Sequence, residues 1–173
     1  MTASVFIATS VDGFIARLNG SIDWLPDDGE PHGYPEFMAT IDAIVMGRHT
    51  FETVLSFDAW PFAQTPVIVL TTRPSEVHPP NGAVCDAMAG TPLQIVTTLA
   101  ERGLTRLYID GGLTVQRFLE AGLIQRIIIT RVPVLLGSGI PLFGPVSRDI
   151  HLEHVATRAY PSGLVQSEYR IDA

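Results

Sequence analysis

The sequence predicts an α/β fold with a mostly parallel central sheet and an antiparallel edge. Two observations carry this. Short apolar runs alternate with amphipathic helical stretches from Val5 to Val134, an order that sets strands side by side and parallel. Two alternating segments then flank Pro161-Ser162-Gly163 near the end of the chain, the pattern of a hairpin. The length of 173 residues suits one ordinary domain, so a single domain over 1–173 is expected.

Val5-Phe6-Ile7-Ala8 reads as a first strand, buried on both faces. From Thr9 to Pro35 the chain is polar and rich in turn formers: Asp12-Gly13, Asn19-Gly20, Pro26 and Asp27-Asp28-Gly29. A stretch of that length in a compact domain reads as a functional loop holding a short hairpin. Tyr34 to Thr40 is a short helix, Ala43 to Met46 a second strand and Arg48 to Leu55 a helix. Pro66 to Thr71 is a third strand, ended by Thr72-Arg73-Pro74, and Val84-Cys85 a short one. Pro92 to Arg102 is a helix closed by Gly103. Leu107 to Ile109 is a strand, and Leu113 to Ala121 a helix with Val115, Phe118 and Leu119 on one face and Gly122 as its stop. Arg126 to Val134 is a strand. A Gly/Pro-rich link, Leu136 to Gly144, leads to the closing pair, His151 to Tyr160 and Leu164 to Ile171.

The net charge of -7 argues against a nucleic-acid or anionic-membrane surface. Cys85 is the sole cysteine, so neither an intrachain disulfide nor a cysteine metal cage can form. No basic stretch precedes Asp12-Gly13, and no apolar run reaches membrane-spanning length. A cytoplasmic setting is expected. His151 and His154 tempt as a metal pair, but i and i+3 on a strand face opposite ways, so no metal site is expected. His32 and His78 read as loop histidines.

Three strand ends carry phosphate-binding chemistry. In Met46-Gly47-Arg48-His49-Thr50 a buried strand passes through glycine straight into a helix. A helix N-terminus offers unpaired N–H groups and partial positive charge, and Arg48 adds a forked donor. Asp110-Gly111-Gly112-Leu113-Thr114 repeats the order strand, glycine, helix. Thr71-Thr72-Arg73 places two hydroxyls and a guanidinium after the third strand. Taken alone, each also reads as a polar or glycine-requiring turn. Neither G-x-G-x-x-G nor a P-loop occurs.

Together with Ala8-Thr9-Ser10-Val11-Asp12-Gly13-Phe14-Ile15-Ala16, Asp23-Trp24-Leu25, Tyr108-Ile109-Asp110 and Pro133-Val134-Leu135-Leu136-Gly137, these blocks resemble the dihydrofolate reductase superfamily. The branch is the C-terminal reductase domain of bacterial riboflavin biosynthesis. The resemblance implies a three-layer α/β/α fold, NADPH as cofactor, a small and perhaps heterocyclic substrate, and a homodimer. It implies that Gly47, Arg48, His49 and Thr50 hold phosphate oxygens and that Thr71, Thr72 and Arg73 surround the 2′-phosphate. Gly111, Gly112, Leu113 and Thr114 would cradle the diphosphate, Ile109 would be a further cofactor-binding residue, and Ala8, Ile15 and Gly20 would flank the nicotinamide. Trp24 would wall the active site.

The activity implied is 5-amino-6-(5-phosphoribosylamino)uracil reductase. The chain departs from the pattern at three places. The first-strand lysine of the riboflavin-type reductases falls at Phe6, their Asp-Glu after the Gly-Gly helix at Gln125-Arg126, and the carboxylate of dihydrofolate reductases near Gly33, between Glu30 and Glu36. Asp12 is then the catalytic candidate, and Thr130 a possible substrate contact at a strand end. No zinc deaminase motif is present. A non-catalytic NADPH-sensing module is the alternative reading.

Overall fold

The computed structural model describes residues 1–26 and 31–171. The Asp27-Asp28-Gly29 turn and Glu30 lie outside the described residues.

The first strand, β1 (Thr2–Ser10), is followed by a three-residue strand, β2 (Phe14–Ala16), and a short helix, α1 (Tyr34–Met38). Then come β3 (Ala43–Gly47), α2 (Arg48–Leu55), β4 (Val67–Leu70), β5 (Cys85–Met88), α3 (Pro92–Glu101), β6 (Arg106–Asp110) and α4 (Gly112–Glu120). The chain closes with β7 (Arg126–Val132), β8 (Ile140–Pro141), β9 (Glu153–Ala159) and β10 (Val165–Arg170). Main-sheet order is β5-β4-β3-β6-β1-β7-β10-β9, with β5 to β7 parallel and β10 and β9 antiparallel.

Period-two alternation sorts the core into two layers. Val5, Val45, Ile68, Leu107, Ile109 and Ile127 face α3 and α4, meeting Ile95, Leu99, Val115 and Phe118. Ile44, Met46, Val67, Val69, Tyr108 and Ile128 face the opposite way, toward Phe37 of α1 and Phe51 and Val54 of α2. The fold is thus three-layered, as expected. Helix ends follow local chemistry. Thr91 and Gln94 form a reciprocal capping box before Pro92. At the other end of α3, Gly103 takes φ +80° and lets Leu104 N–H return to Leu99 O at 2.9 Å.

Some expectations need correction. Among its described residues, the loop after β1 holds no internal hairpin of strands: Asn19-Gly20 makes a turn, with Gly20 N–H donating to Arg17 O at 2.9 Å. β2 instead pairs antiparallel with β8 across the chain. Nor is β1 buried on both faces throughout. Phe6, Ile7 and Ala8 are only half-buried, because this end of the strand borders a cleft. β9 is exposed along its whole length, as an edge strand with one partner. No helix among the described residues is long and apolar enough to cross a membrane.

One polar latch ties the sheet together at its lower edge. The Asp42 carboxylate accepts Thr105 N–H (2.9 Å), Arg106 N–H (2.8 Å) and Arg106 Nε–H (3.0 Å). The Arg106 guanidinium, with these backbone donors, holds its carboxyl well below the usual range. Asp42→Ala should cost about 2–3 kcal/mol, the scale of hydrogen bonds to a charged group. A depressed carboxyl stabilises above its unfolded pKa, and that contribution is lost as pH falls. Denaturant unfolding at pH 7 and at pH 3 checks this: the gap between parent and variant should shrink at the lower pH.

Candidate active site

A cleft of about 940 Å³ lies across the C-terminal ends of the parallel strands. It opens at the topological switch point, where β3 to β5 lie on one side of β6 and β1 and β7 on the other. The pairing of β1 with β6 reaches Ser4↔Tyr108, whereas its pairing with β7 continues to Ser10↔Val132. Phe6, Ile7 and Ala8 thereby line the cleft from one side and Tyr108 and Asp110 from the other.

Two helix N-termini meet at its floor. α2 starts directly after Gly47 and α4 directly after Gly111, and neither carries a side-chain cap. Their first N–H groups therefore lack side-chain acceptors at a place suited to anions. The segments repeat Gly-x-x-Thr: Gly47-Arg48-His49-Thr50 and Gly111-Gly112-Leu113-Thr114. All eight residues line the cleft. The two threonines cross over. A Cβ on Gly47 would lie 3.2 Å from Thr114 Oγ1, and a Cβ on Gly111 would collide with Thr50 Oγ1. Gly111 also takes φ +87°, so glycine is required there twice over.

Thr71, Thr72 and Arg73 line the cleft beyond β4, and Thr71 Oγ1 accepts Arg73 N–H at 3.0 Å. Ala8, Ile15 and Gly20 line its other end. The structure thus brings together almost every residue that the resemblance implied for a cofactor. Ile109 is the exception. It is 0% exposed, and its side chain packs against α3 and α4, because period two turns it away from the face that carries Tyr108 and Asp110.

Both catalytic candidates lie outside the cleft lining. The Asp12 carboxylate accepts Leu136 N–H (3.1 Å) and Gly137 N–H (2.7 Å). Ser10 foremost, with those backbone donors, keeps its carboxyl below the usual range. Asp12 is a clamp between two loops, as a turn-forming aspartate can be. Trp24 packs against the cluster of Val132, Tyr160 and Leu164, beside Ala8. Thr130 Oγ1 accepts from Gln166 Nε2 at 2.9 Å. Glu36 is exposed and Gly33 only precedes α1. His154 Nε2 contacts Thr157 Oγ1 at 2.7 Å, and no metal-holding cluster exists among the described residues.

The acid that does line the cleft is Asp110. Burial pushes its carboxyl up to about 6, against the opposing pull of Gly111 N–H, which donates at 2.8 Å. Around it are Tyr108, whose hydroxyl donates to Phe6 O at 2.8 Å, and Tyr34, pushed up to about 12 by burial and by the charge of Asp110. Phe6 meets Tyr34 edge-on and Phe37 at a tilt, at 5.5 and 5.0 Å between centroids. Sequence reasoning passed over this constellation. Its one signal was a carboxylate at the end of a buried strand, two residues from Tyr108.

The profile of the RibD C-terminal domain matches residues 2–166. The chain belongs to that family. It is 34% identical over 160 residues to the uncharacterized protein YwjB of Bacillus subtilis, covering 90% of each chain. A putative riboflavin biosynthesis protein from Shewanella sp. PV-4 superposes with a TM-score of 0.90 at 36% identity, over 100% of both chains. Dihydrofolate reductase of Enterococcus faecalis, solved with NADP(H), shares the fold: TM-score 0.71, 19% identity, 99% of this chain and 97% of that one. The family places the chain among reductase-type domains.

The raised Asp110 carboxyl has a consequence for stability. A group that holds its proton more tightly when folded stabilises fully below its unfolded pKa, near 4, and that contribution is lost as pH rises through about 6. Asp110→Asn keeps an acceptor for Gly111 N–H without the charge. It should be more stable than the parent at pH 8, by up to about 3 kcal/mol, with the gain fading below pH 4. Thermal melts across that range read the difference; a gap independent of pH would show that the carboxyl is not held protonated.

Proposed function

We propose that the chain is an NADPH-dependent reductase that delivers a hydride to the C=N or C=O group of a small, planar, unphosphorylated heterocycle. The observation that carries this is the pairing, across one cleft, of two uncapped helix N-termini with a half-buried, desolvated carboxyl beside Tyr34 and Tyr108. The cofactor fits the first half. The Gly-x-x-Thr ends of α2 and α4 would hold its diphosphate, with Arg48 and Arg73 toward the 2′-phosphate. Bound there, NADPH would supply the hydride.

The chain's own residues would do the rest. Phe6, Tyr34, Phe62 and Tyr108 offer flat apolar walls that orient a planar ring and exclude water. Asp110, poised near 6, can release its proton to the nitrogen or oxygen of the reduced bond and recover one from solvent. The arginines among the described cleft residues are Arg48, Arg73 and Arg117. All stand on α2, α4 or the end of β4, and the sequence contains no lysine. With Phe6 in place of a lysine, the acceptor end has no cation for a phosphoribosyl group. This favours an uncharged acceptor over the phosphorylated aminouracil. The cytoplasmic homodimer expected from the sequence stays part of the proposal.

NADPH should bind more tightly than NADH, by about tenfold, and Arg48→Ala with Arg73→Ala should remove that preference. With a panel of unphosphorylated pterins, pyrimidines and carbonyl compounds, steady NADPH oxidation is expected. Asp110→Asn should lower kcat by about 100-fold or more while leaving NADPH affinity unchanged. Tight NADPH binding with no turnover on any acceptor would instead leave a sensor.

A further inference from the structure

The two arginines assigned to the 2′-phosphate are already engaged. Glu76 lies between them and gives one carboxylate oxygen to each: Oε1 is 3.3 Å from Arg73 Nη1, and Oε2 is 3.7 Å from Arg48 Nη1. Arg48 Nη1 is also 2.6 Å from Glu52 Oε1, and His49 Nδ1 stands 3.2 Å from Glu52 Oε2. The local fold makes this arrangement. Arg73 and Glu76 bracket a single turn over Pro74–Glu76, closed by Glu76 N–H to Arg73 O at 3.1 Å.

We infer that Glu76 is a cofactor-specificity residue, an internal anion that occupies the 2′-phosphate position and narrows the preference for NADPH over NADH. This rests on the cofactor reading above. Two guanidiniums face two carboxylates, so their formal charges cancel. A phosphomonoester carrying about −1.5 to −2 charges gains little from a site whose field is already neutral, and must turn Glu76 outward before it can use both forks. Glu76 is 44% exposed in its side chain and free of the core, so it can turn. A ribose that carries a 2′-hydroxyl meets the opposite situation. It can donate to the Glu76 carboxylate, the arrangement by which acidic residues accept NADH ribose in other dinucleotide sites. One carboxylate therefore works against one cofactor and for the other.

The test is titration of NADPH, NADH and adenosine 2′,5′-bisphosphate into the parent, Glu76→Gln and Glu101→Gln. Glu101 is exposed at the far end of α3 and controls for a general change in charge. Glu76→Gln should tighten NADPH and the bisphosphate about tenfold and leave NADH unchanged or weaker. The gain should shrink at high salt, and Glu101→Gln should show none. An unchanged NADPH-to-NADH ratio in Glu76→Gln, or an equal rise in Glu101→Gln, overturns the assignment while the cofactor reading stands. If parent and variants bind none of the three compounds, the cofactor reading itself fails and takes this inference with it.

Discussion

Beyond Ser4 the first strand keeps its ladder with β7 and parts from β6, and the gap between them becomes the cleft. Sheet hydrogen bonds forgone there must be met in another way. The Tyr108 hydroxyl meets one of them, reaching across to Phe6 O. The same parting leaves Phe6, Ile7 and Ala8 half-buried along the cleft and sets Asp110, just before α4, half-buried in its wall. Both the apolar surface and the displaced proton affinity of the site follow from where two strands stop pairing. The helices contribute the other half through their polarity, since the crossovers of a parallel sheet bring their N-termini to the strands' C-terminal ends.

Much of this was readable from residue order. Strand and helix identities followed from apolar periodicity, and the helix stops from Gly103 and Gly122. The phosphate-type segments were visible because glycine at a strand-to-helix junction has few other uses. What escaped reading depended on distance along the chain or on burial. β2 and β8 pair over more than a hundred residues through a two-residue partner, too short for any period to show. Asp12 and Asp110 both look like aspartates beside glycine. Only the fold tells them apart, since one is satisfied by the backbone of Leu136 and Gly137 and the other is desolvated at the cleft wall beside Tyr34 and Tyr108. Ile109 could have been placed in the core by counting two from Leu107.

Charge in this chain is managed locally. Every cation among its side chains other than histidine is an arginine, and many have a carboxylate in reach: Asp23 for Arg17, Asp86 for Arg102, Asp42 for Arg106 and Glu168 for Arg126. Planar forks suit such pairings, and each fixes a loop or a strand end at modest energy. Within a net charge of -7, Arg48 and Arg73 at the cleft are likewise accompanied by carboxylates. On the reading proposed above, an anionic ligand would be received by exchange of partners rather than by attraction to an open positive field.

The central position of β1 also bears on how the chain comes to be folded. It precedes both of its neighbours in the chain, since β6 and β7 begin at Arg106 and Arg126. Until about a hundred further residues have left the ribosome, the apolar Val5-Phe6-Ile7 run has no ladder to join. Closure of the sheet around it is a long-range event, with the entropy cost and slow rate that high contact order brings. A nascent chain that stops short of β7 therefore displays an unpaired hydrophobic strand, and timely folding depends on keeping that segment from other partners in the interval.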